Sequence, residues 1–247
     1  MTAGTRLCTG AEILAVTDDL WTRSIIGPSW SGPGWLMPGA ACYGTGTADE
    51  PDGCLTAVGD PHAVAELVRL LLAGRAEPPY LLTVPRGTQV EGTETAATQW
   101  EVLSLHHAPP PLPAEGRVVP VAREPSAEIT ALLTAASPEH SVRPGAPDVE
   151  LWAGVRDTNG ALICGGAMVR KPGAALRSLA SIATAPAYRG QGLAAAVTAW
   201  LARQALGREP SGCLLALDSA NHGAKRVYER LGFRTVREFS TLEFDVW

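Results

Sequence analysis

The chain reads as an α/β protein, a mixed sheet with helices packed against it. Three observations predict this. Apolar residues recur at helical spacing in four separate stretches, and short apolar or alternating runs lie between them. Asn159-Gly160 joins two such runs as a hairpin turn does. Over the second half the elements follow the order β-α-β-β-β-α-β-α-β.

Each element has its own signal. In the first half Trp21–Gly59, rich in Gly, Pro and Trp, reads as loops with short strands. Pro61–Arg75 is a helix: Val64, Leu67, Val68, Leu71 and Leu72 share one face, and Gly74 lies near its end. Tyr80–Val84 and Trp100–Leu105 read as strands. Trp21, Trp30, Trp35 and Trp100 suit either a pocket lining or a core, and core is the commoner fate of a buried Trp. Pro109-Pro110-Pro111-Leu112-Pro113 cannot lie inside a helix or a central strand, so it reads as a stiff, extended connector. The expected division is an N-terminal α/β domain over 1–108, a linker over 109–117 and a second domain over 118–247.

Beyond the connector, Val118–Ala122 is a short strand and Ser126–Ala136 a helix with Ile129, Leu132 and Leu133 on one face. Glu150–Arg156 and Ala161–Val169 are the two arms of the hairpin, and Leu176–Thr184 is a further strand. Gln191–Leu206 is a helix, with Leu193, Ala196, Val197, Trp200 and Leu201 at i, i+3, i+4, i+7 and i+8. Cys213–Leu217 is a buried strand, Asn221–Leu231 a helix, and Thr235–Val246 closes with one or two strands in which Leu242, Phe244 and Val246 alternate.

Composition narrows the function. With 247 residues, 46% hydrophobic and 18% charged, the chain has material for a large core and is neither a disordered tail nor a charged coiled coil. Residues 1–176 hold 11 Lys and Arg against 19 Asp and Glu, a balance of −8; residues 177–247 hold 9 against 6, or +3. An acidic front with a mildly basic back argues against nucleic acid as partner. The five cysteines, Cys8, Cys42, Cys54, Cys164 and Cys213, are scattered and form no CxxC, so neither a metal centre nor a disulfide framework is expected. No signal peptide and no 18-residue apolar run are read, so no membrane partner and a cytoplasmic location are expected.

The chemistry concentrates in Leu179-Ala-Ser-Ile-Ala-Thr-Ala-Pro-Ala-Tyr-Arg189-Gly-Gln-Gly-Leu-Ala194. A strand runs into a Pro-containing turn, and Arg-Gly-Gln-Gly then opens a long helix. Unpaired backbone N–H groups and the positive end of the helix dipole therefore meet at one point, the glycines admit a ligand close to the backbone, and Arg189 adds a charge. This is an anion site suited to phosphate or pyrophosphate. It is not a Walker A loop, since no Gly-Lys-Ser/Thr follows, and it lacks the third glycine of the dinucleotide fingerprint. The second element begins 32 residues beyond Arg189. Asn221 can cap a helix on which Ala224, Tyr228 and Leu231 recur, and Asn221 and Tyr228, seven apart, share a face.

Arg189-Gly-Gln-Gly192-Leu-Ala194 after a strand, followed by Asn221…Ala224…Tyr228…Gly232-Phe233, resembles the GNAT superfamily of acyl-CoA-dependent N-acetyltransferases over residues 118–247. The less regular first half and the Trp-containing strand ending in a Pro-rich link resemble its two-domain, glycine N-acyltransferase-like actinobacterial members. The resemblance implies that the N–H groups of Gln191, Gly192, Leu193 and Ala194, with Arg189 and Gly190, hold the pyrophosphate of coenzyme A. It implies that Ile182, Ala183 and Thr184, on a strand that splays from its neighbour, pair with the pantetheine amides, and that an N–H near Ile182 polarises the thioester carbonyl. Asn221 then bonds the pantetheine arm, Ala224 leaves room for it, and Tyr228 protonates the leaving thiolate.

A neutral amine attacks the thioester directly, and the bases open to it are Glu150, Asp218, His140 or a water chain. The expected function is transfer of an acetyl or short acyl group from acetyl-CoA to a primary amine of a small molecule in a ternary complex. The alternatives are a non-catalytic acyl-CoA-binding regulatory protein and a protein or peptide acetyltransferase. The N-terminal half is expected to supply part of the acceptor site as a degenerate GNAT-like domain, or to serve as a dimerising module that makes the chain a homodimer. No second Arg-x-x-Gly-x-Gly/Ala motif precedes residue 118. His106, His107 and His222 read as surface or structural, Arg226 and Arg230 as a solvated helix face or a 3′-phosphate contact, and Cys213 as packing.

Overall fold

The structure is a computed structural model that describes residues 6–46, 53–75, 77–91, 98–122 and 126–244. Val246, part of the alternation read at the C-terminus, lies outside the described residues. The chain divides into two compact units: Met1–Glu101 with Asp218–Ala220 and Arg237–Trp247, and Val102–Leu217 with Asn221–Val236.

The first unit holds β1 (Arg6–Leu7), α1 (Gly10–Val16), α2 (Leu20–Ile25), β2 (Gly34–Met37), β3 (Ala40–Gly44), β4 (Cys54–Gly59), α3 (Pro61–Ala73) and β5 (Leu81–Pro85). It also takes the start of β6 (Thr98–Leu105) and the end of the last strand, β12 (Arg234–Glu243). Neighbouring strands run β1-β2-β3-β4-β5-β12. All pairs are antiparallel except β4–β5, which is parallel because α3 provides the crossover. Asp60 caps α3 by accepting the N–H groups of His62 (3.0 Å) and Ala63 (3.1 Å), and Val64, Leu67 and Val68 pack on Ala57, Leu82 and Val84. The stretch read as loops with short strands contains three strands and also α2. Two helices of seven and six residues are too short to show a periodicity and are set by caps instead. Thr9 and Glu12 form a capping box, and buried Asp19 accepts the Thr22 N–H at 2.7 Å. Trp21 meets Trp100 edge-on at 5.2 Å between centroids, Phe239 lies tilted 4.7 Å from Trp100, and the Trp100 indole donates to Thr241 at 2.9 Å. Trp21 and Trp100 are thus packing residues of this unit.

The second unit carries β7 (Val119–Val121), α4 (Ala127–Ala136), β8 (Val149–Arg156), β9 (Leu162–Val169), β10 (Arg177–Thr184), α5 (Leu193–Leu206), β11 (Cys213–Asp218, to Leu217 in this unit) and α6 (His222–Arg230). Its strands lie in the order β11-β10-β9-β8-β7, antiparallel except for β10–β11, where α5 is the crossover. α5 buries Ala196, Val197, Leu201 and Ala205 in a core with Met168, Leu179, Leu215 and Phe233; Ile129, Leu132 and Leu133 of α4 pack in a separate cluster with Trp152, Ala167 and Ala183. The β8–β9 hairpin turns at Asp157–Gly160, where Asp157 accepts the N–H groups of Asn159 and Ala161, both at 2.9 Å. Past the prolines, Pro113–Arg117 winds into a short 3-10 turn, and Glu115 pairs with Arg203 of α5 at 3.1 Å. The residues read as connector therefore pack on this unit through Leu112 and Ala114.

Arg177, buried at the start of β10, pairs with Glu150 of β8 at 2.8 Å, and Arg208 reaches the same oxygen at 3.1 Å. Burial pushes the Glu150 carboxyl up, but the Arg177 hydrogen bond and the charges of Arg177, Arg208 and Arg170 outweigh it and hold it below its ordinary 4.5. A depressed carboxyl stabilises the fold above its unfolded pKa and loses that contribution as pH falls through the folded value. Glu150→Ala is accordingly expected to cost about 3 kcal/mol at pH 7, by stranding the Arg177 charge. The cost should shrink below pH 4.5. Urea unfolding of both proteins at pH 7 and pH 4 checks this. No helix of the described residues is long and apolar enough to cross a membrane.

Candidate active site

The candidate site forms where β10 parts from β11. Its parallel pairing with β11 covers Arg177↔Cys213, Ser178↔Leu214 and Leu179↔Leu215 and stops there, although β10 runs on to Thr184. On its other edge the register against β9 shifts between Ala180 and Ala183, where Ser181 adopts a φ of +52°. Beyond Leu179 the strand parts from β11, so on that edge Ala180–Thr184 have no ladder partners, while Ala183 and Thr184 stay paired with β9. Ile182 packs toward the α5 core, whereas Ala183 is buried on the α4 side, so Ala183 has only its backbone to offer a ligand. Thr184 Oγ1 lies 3.2 Å from the thiol of Cys164 on β9.

The anion loop follows directly. Pro186–Tyr188 makes one 3-10 turn, and Gly190 and Gly192 take φ of +77° and +73°. A Cβ at either glycine would meet nothing within 4 Å, so glycine is required by backbone conformation and the space beside the loop is open. Gly192 is the N-cap of α5 and, having no side chain, leaves the first-turn N–H groups unsatisfied from within the helix. Gly190, Gln191 and Gly192 are exposed; Leu193 is buried in the core, so its contribution is its N–H alone. The loop is braced from both sides. Tyr188 donates to Asp157 of the hairpin turn at 3.1 Å, and Arg189 donates to the carbonyls of Thr184 (3.3 Å) and Ala136 (3.2 Å). Hydrogen bonds from the Ala161, Asn159 and Gly160 N–H groups and from Tyr188 hold the Asp157 carboxyl low.

On α6, Asn221 caps the helix by accepting the Ala224 N–H at 3.0 Å, leaving its amide N–H groups for a ligand. Ala224 packs at the edge of the α5 core, and Tyr228 is buried in that core, its ring 6.0 Å from Phe233. Burial pushes the Tyr228 phenol up to about 12, and neighbouring Cys164 adds to the rise. No hydrogen bond joins its hydroxyl to another described residue. Cys164, itself pushed by burial to about 11, bonds Thr184 and shares the α5 core with Tyr228, a position that no motif announced. Of the bases open from the sequence, Glu150 is held by two arginines at the far, N-terminal end of β10. His140 lies in the loop after α4, where its Nδ1 donates to the Ser137 carbonyl at 2.9 Å; because a carbonyl only accepts, the neutral ring keeps its lone pair on Nε2. His106, His107, His222, Arg226 and Arg230 are exposed, and Cys213 is buried with its thiol pushed up. Among the described residues no three His, Cys, Asp or Glu side chains gather as a metal-holding group.

The model of the acetyltransferase (GNAT) family matches residues 124–233, the segment that carries both the anion loop and Tyr228. An acetyltransferase of the GNAT family from Novosphingobium aromaticivorans is similar in fold, with a TM-score of 0.59 at 24% identity over 92% of this chain and 97% of that one. A GCN5-related N-acetyltransferase from Kribbella flavida gives 0.56 at 21% over 96% of each chain. A tandem GNAT protein from the clavulanic acid biosynthesis pathway gives 0.52 at 13%, covering 96% of this chain and 97% of its own. No curated protein matches. The family model thus covers the segment that carries the glycine loop and Tyr228, and the chain shares its fold with these GNAT structures.

Proposed function

We propose that the chain transfers an acyl group, acetyl first among candidates, from acyl-CoA to a primary amine of a small molecule. One observation carries the reading: the parted stretch of β10 leads directly into a helix N-terminus whose glycine cap leaves its N–H groups open. A strand edge with unpaired amides followed by a nest of N–H groups matches the two halves of coenzyme A, an amide-bearing arm and a pyrophosphate. The N–H groups of Gln191, Gly192, Leu193 and Ala194, with Gly190, hold the pyrophosphate. Arg189 braces the loop through two carbonyls and adds its charge. The backbone of Ile182, Ala183 and Thr184 pairs with the arm, the amide of Asn221 bonds it from α6, and Ala224 leaves it room. Acyl-CoA supplies the activated thioester; the protein supplies alignment, an N–H near Ile182 for the carbonyl oxygen, and protons. Tyr228 keeps its proton at neutral pH and donates it to the departing sulfur, while Nε2 of His140 takes one from the amine.

The first unit supports a reading as a degenerate copy of the same fold. Both units run strand, helix or helices, three antiparallel strands, helix, parallel strand. At the counterpart of the anion loop, β4 turns straight into α3 and the Asp60 carboxylate occupies the helix N-terminus. A carboxylate there repels phosphate and already satisfies the N–H groups, so one acyl-CoA per chain is expected. The test is thiol release from acetyl-CoA across a panel of small primary amines. Amine-dependent release supports transfer. Binding of acetyl-CoA with no release for any amine, including a Lys-bearing peptide, points to the acyl-CoA-binding regulatory alternative.

A further inference from the structure

Ser181 occupies a backbone conformation that favours glycine or asparagine, yet it carries a hydroxyl with two partners. Its Oγ accepts the Val142 N–H at 3.0 Å and donates to the Val142 carbonyl at 2.9 Å. One side chain thus replaces both hydrogen bonds of a strand pair and ties the 137–148 loop to the bulge of β10. A second tie lies at the root of the loop, where Arg189 donates to the Ala136 carbonyl at the end of α4. Val142 and Ala146 pack against the cluster beneath the loop, so the staple fixes a segment already seated on apolar surface. His140 is two residues from Val142, within about 7 Å along the chain, and its ring orientation is set by Ser137.

We infer that Ser181 is a positioning residue that couples the acyl-CoA strand to the 137–148 loop, so that occupancy of Ile182–Thr184 beside it sets the loop, and His140 on it, for the incoming amine. The inference rests on the function proposed above. Ligand pairing with the parted strand immobilises the bulge, and the two bonds through Ser181 Oγ pass that order to Val142. The Arg189 tie does the same from the pyrophosphate end.

The test uses hydrogen–deuterium exchange of peptides covering 137–148 in the full chain, with and without acetyl-CoA, alongside calorimetric titration of acetyl-CoA. Acetyl-CoA is expected to slow exchange of the wild-type loop by about tenfold. Ser181→Gly suits the positive φ and so folds. It should bind acetyl-CoA with a Kd within roughly threefold of wild type, while its loop exchanges fast and does not respond to ligand. Ser181→Asn, whose amide both donates and accepts in the same backbone conformation, should restore the response. Equal slowing of the loop in Ser181→Gly, or no slowing in the wild type that binds acetyl-CoA, overturns the coupling alone. Absence of acetyl-CoA binding by the folded wild type overturns the proposed function and the coupling with it.

Discussion

Substituting Trp for Gly192 is expected to abolish coenzyme A binding and leave the chain folded. Gly192 sits at φ +73° with open space beside its Cα, so an indole there meets no protein atom at its root and lies over the N–H groups that begin α5. The positive φ costs an L-residue roughly 1–2 kcal/mol, which a domain of this size tolerates. The ligand loses at least two charge-assisted hydrogen bonds worth about 1.5–3 kcal/mol each, so affinity falls by roughly 100-fold or more. Gly192→Asn, which accepts the same φ with a small side chain, should fall far less. Circular dichroism establishes the fold and calorimetry with coenzyme A reads the loss. Undiminished binding to Gly192→Trp would place the pyrophosphate elsewhere.

Tyr228→Phe is expected to lower the rate of acyl transfer by about 10²–10⁴-fold, in the range that a positioned general acid contributes. Its acetyl-CoA affinity and melting temperature should barely change. Both halves follow from the packing. The ring is buried against Phe233 and the α5 core, which Phe preserves, and the hydroxyl makes no hydrogen bond to a described residue that its removal could break. Burial that lifts the phenol to about 12 keeps it protonated through the neutral range, so activity should show no loss from this group around neutral pH. Tyr228→Ala, by contrast, should cost about 3–5 kcal/mol of stability through lost packing. Single-turnover thiol release separates the chemical step from binding. An unchanged rate in Tyr228→Phe would assign the proton to water.

The sequence carried the second unit well because its helices are long enough for their apolar faces to be counted and its hairpin turn is Asn-Gly. It carried α1 and α2 poorly. Those helices are too short for an apolar face to be counted, and their signals, the local caps Thr9–Glu12 and Asp19–Thr22, were in the sequence but passed over. The turn at Gly190 and Gly192 was legible because glycine at φ>0 is a chemical requirement that the sequence must meet. Ser181 was not: its positive φ is imposed by the β9 register shift, and a serine announces neither a bulge nor a partner 39 residues away. Cys164 was passed over for a similar reason, since only folding brings its thiol to Thr184 and into the core that holds Tyr228. Glu150 illustrates the reverse case. A carboxylate on a strand of the right unit suggested a base, and two arginines distant in sequence from it, Arg177 and Arg208, occupy it.

One acyl-CoA site is expected per chain, built on β10 and the N-terminus of α5 and not repeated at α3. Calorimetric titration of acetyl-CoA into the wild-type chain tests it most directly. A single saturable transition with one acetyl-CoA per chain is expected, unchanged in Asp60→Asn, whose amide oxygen still caps α3. A folded protein that takes up no acetyl-CoA, or that binds two per chain, would contradict it.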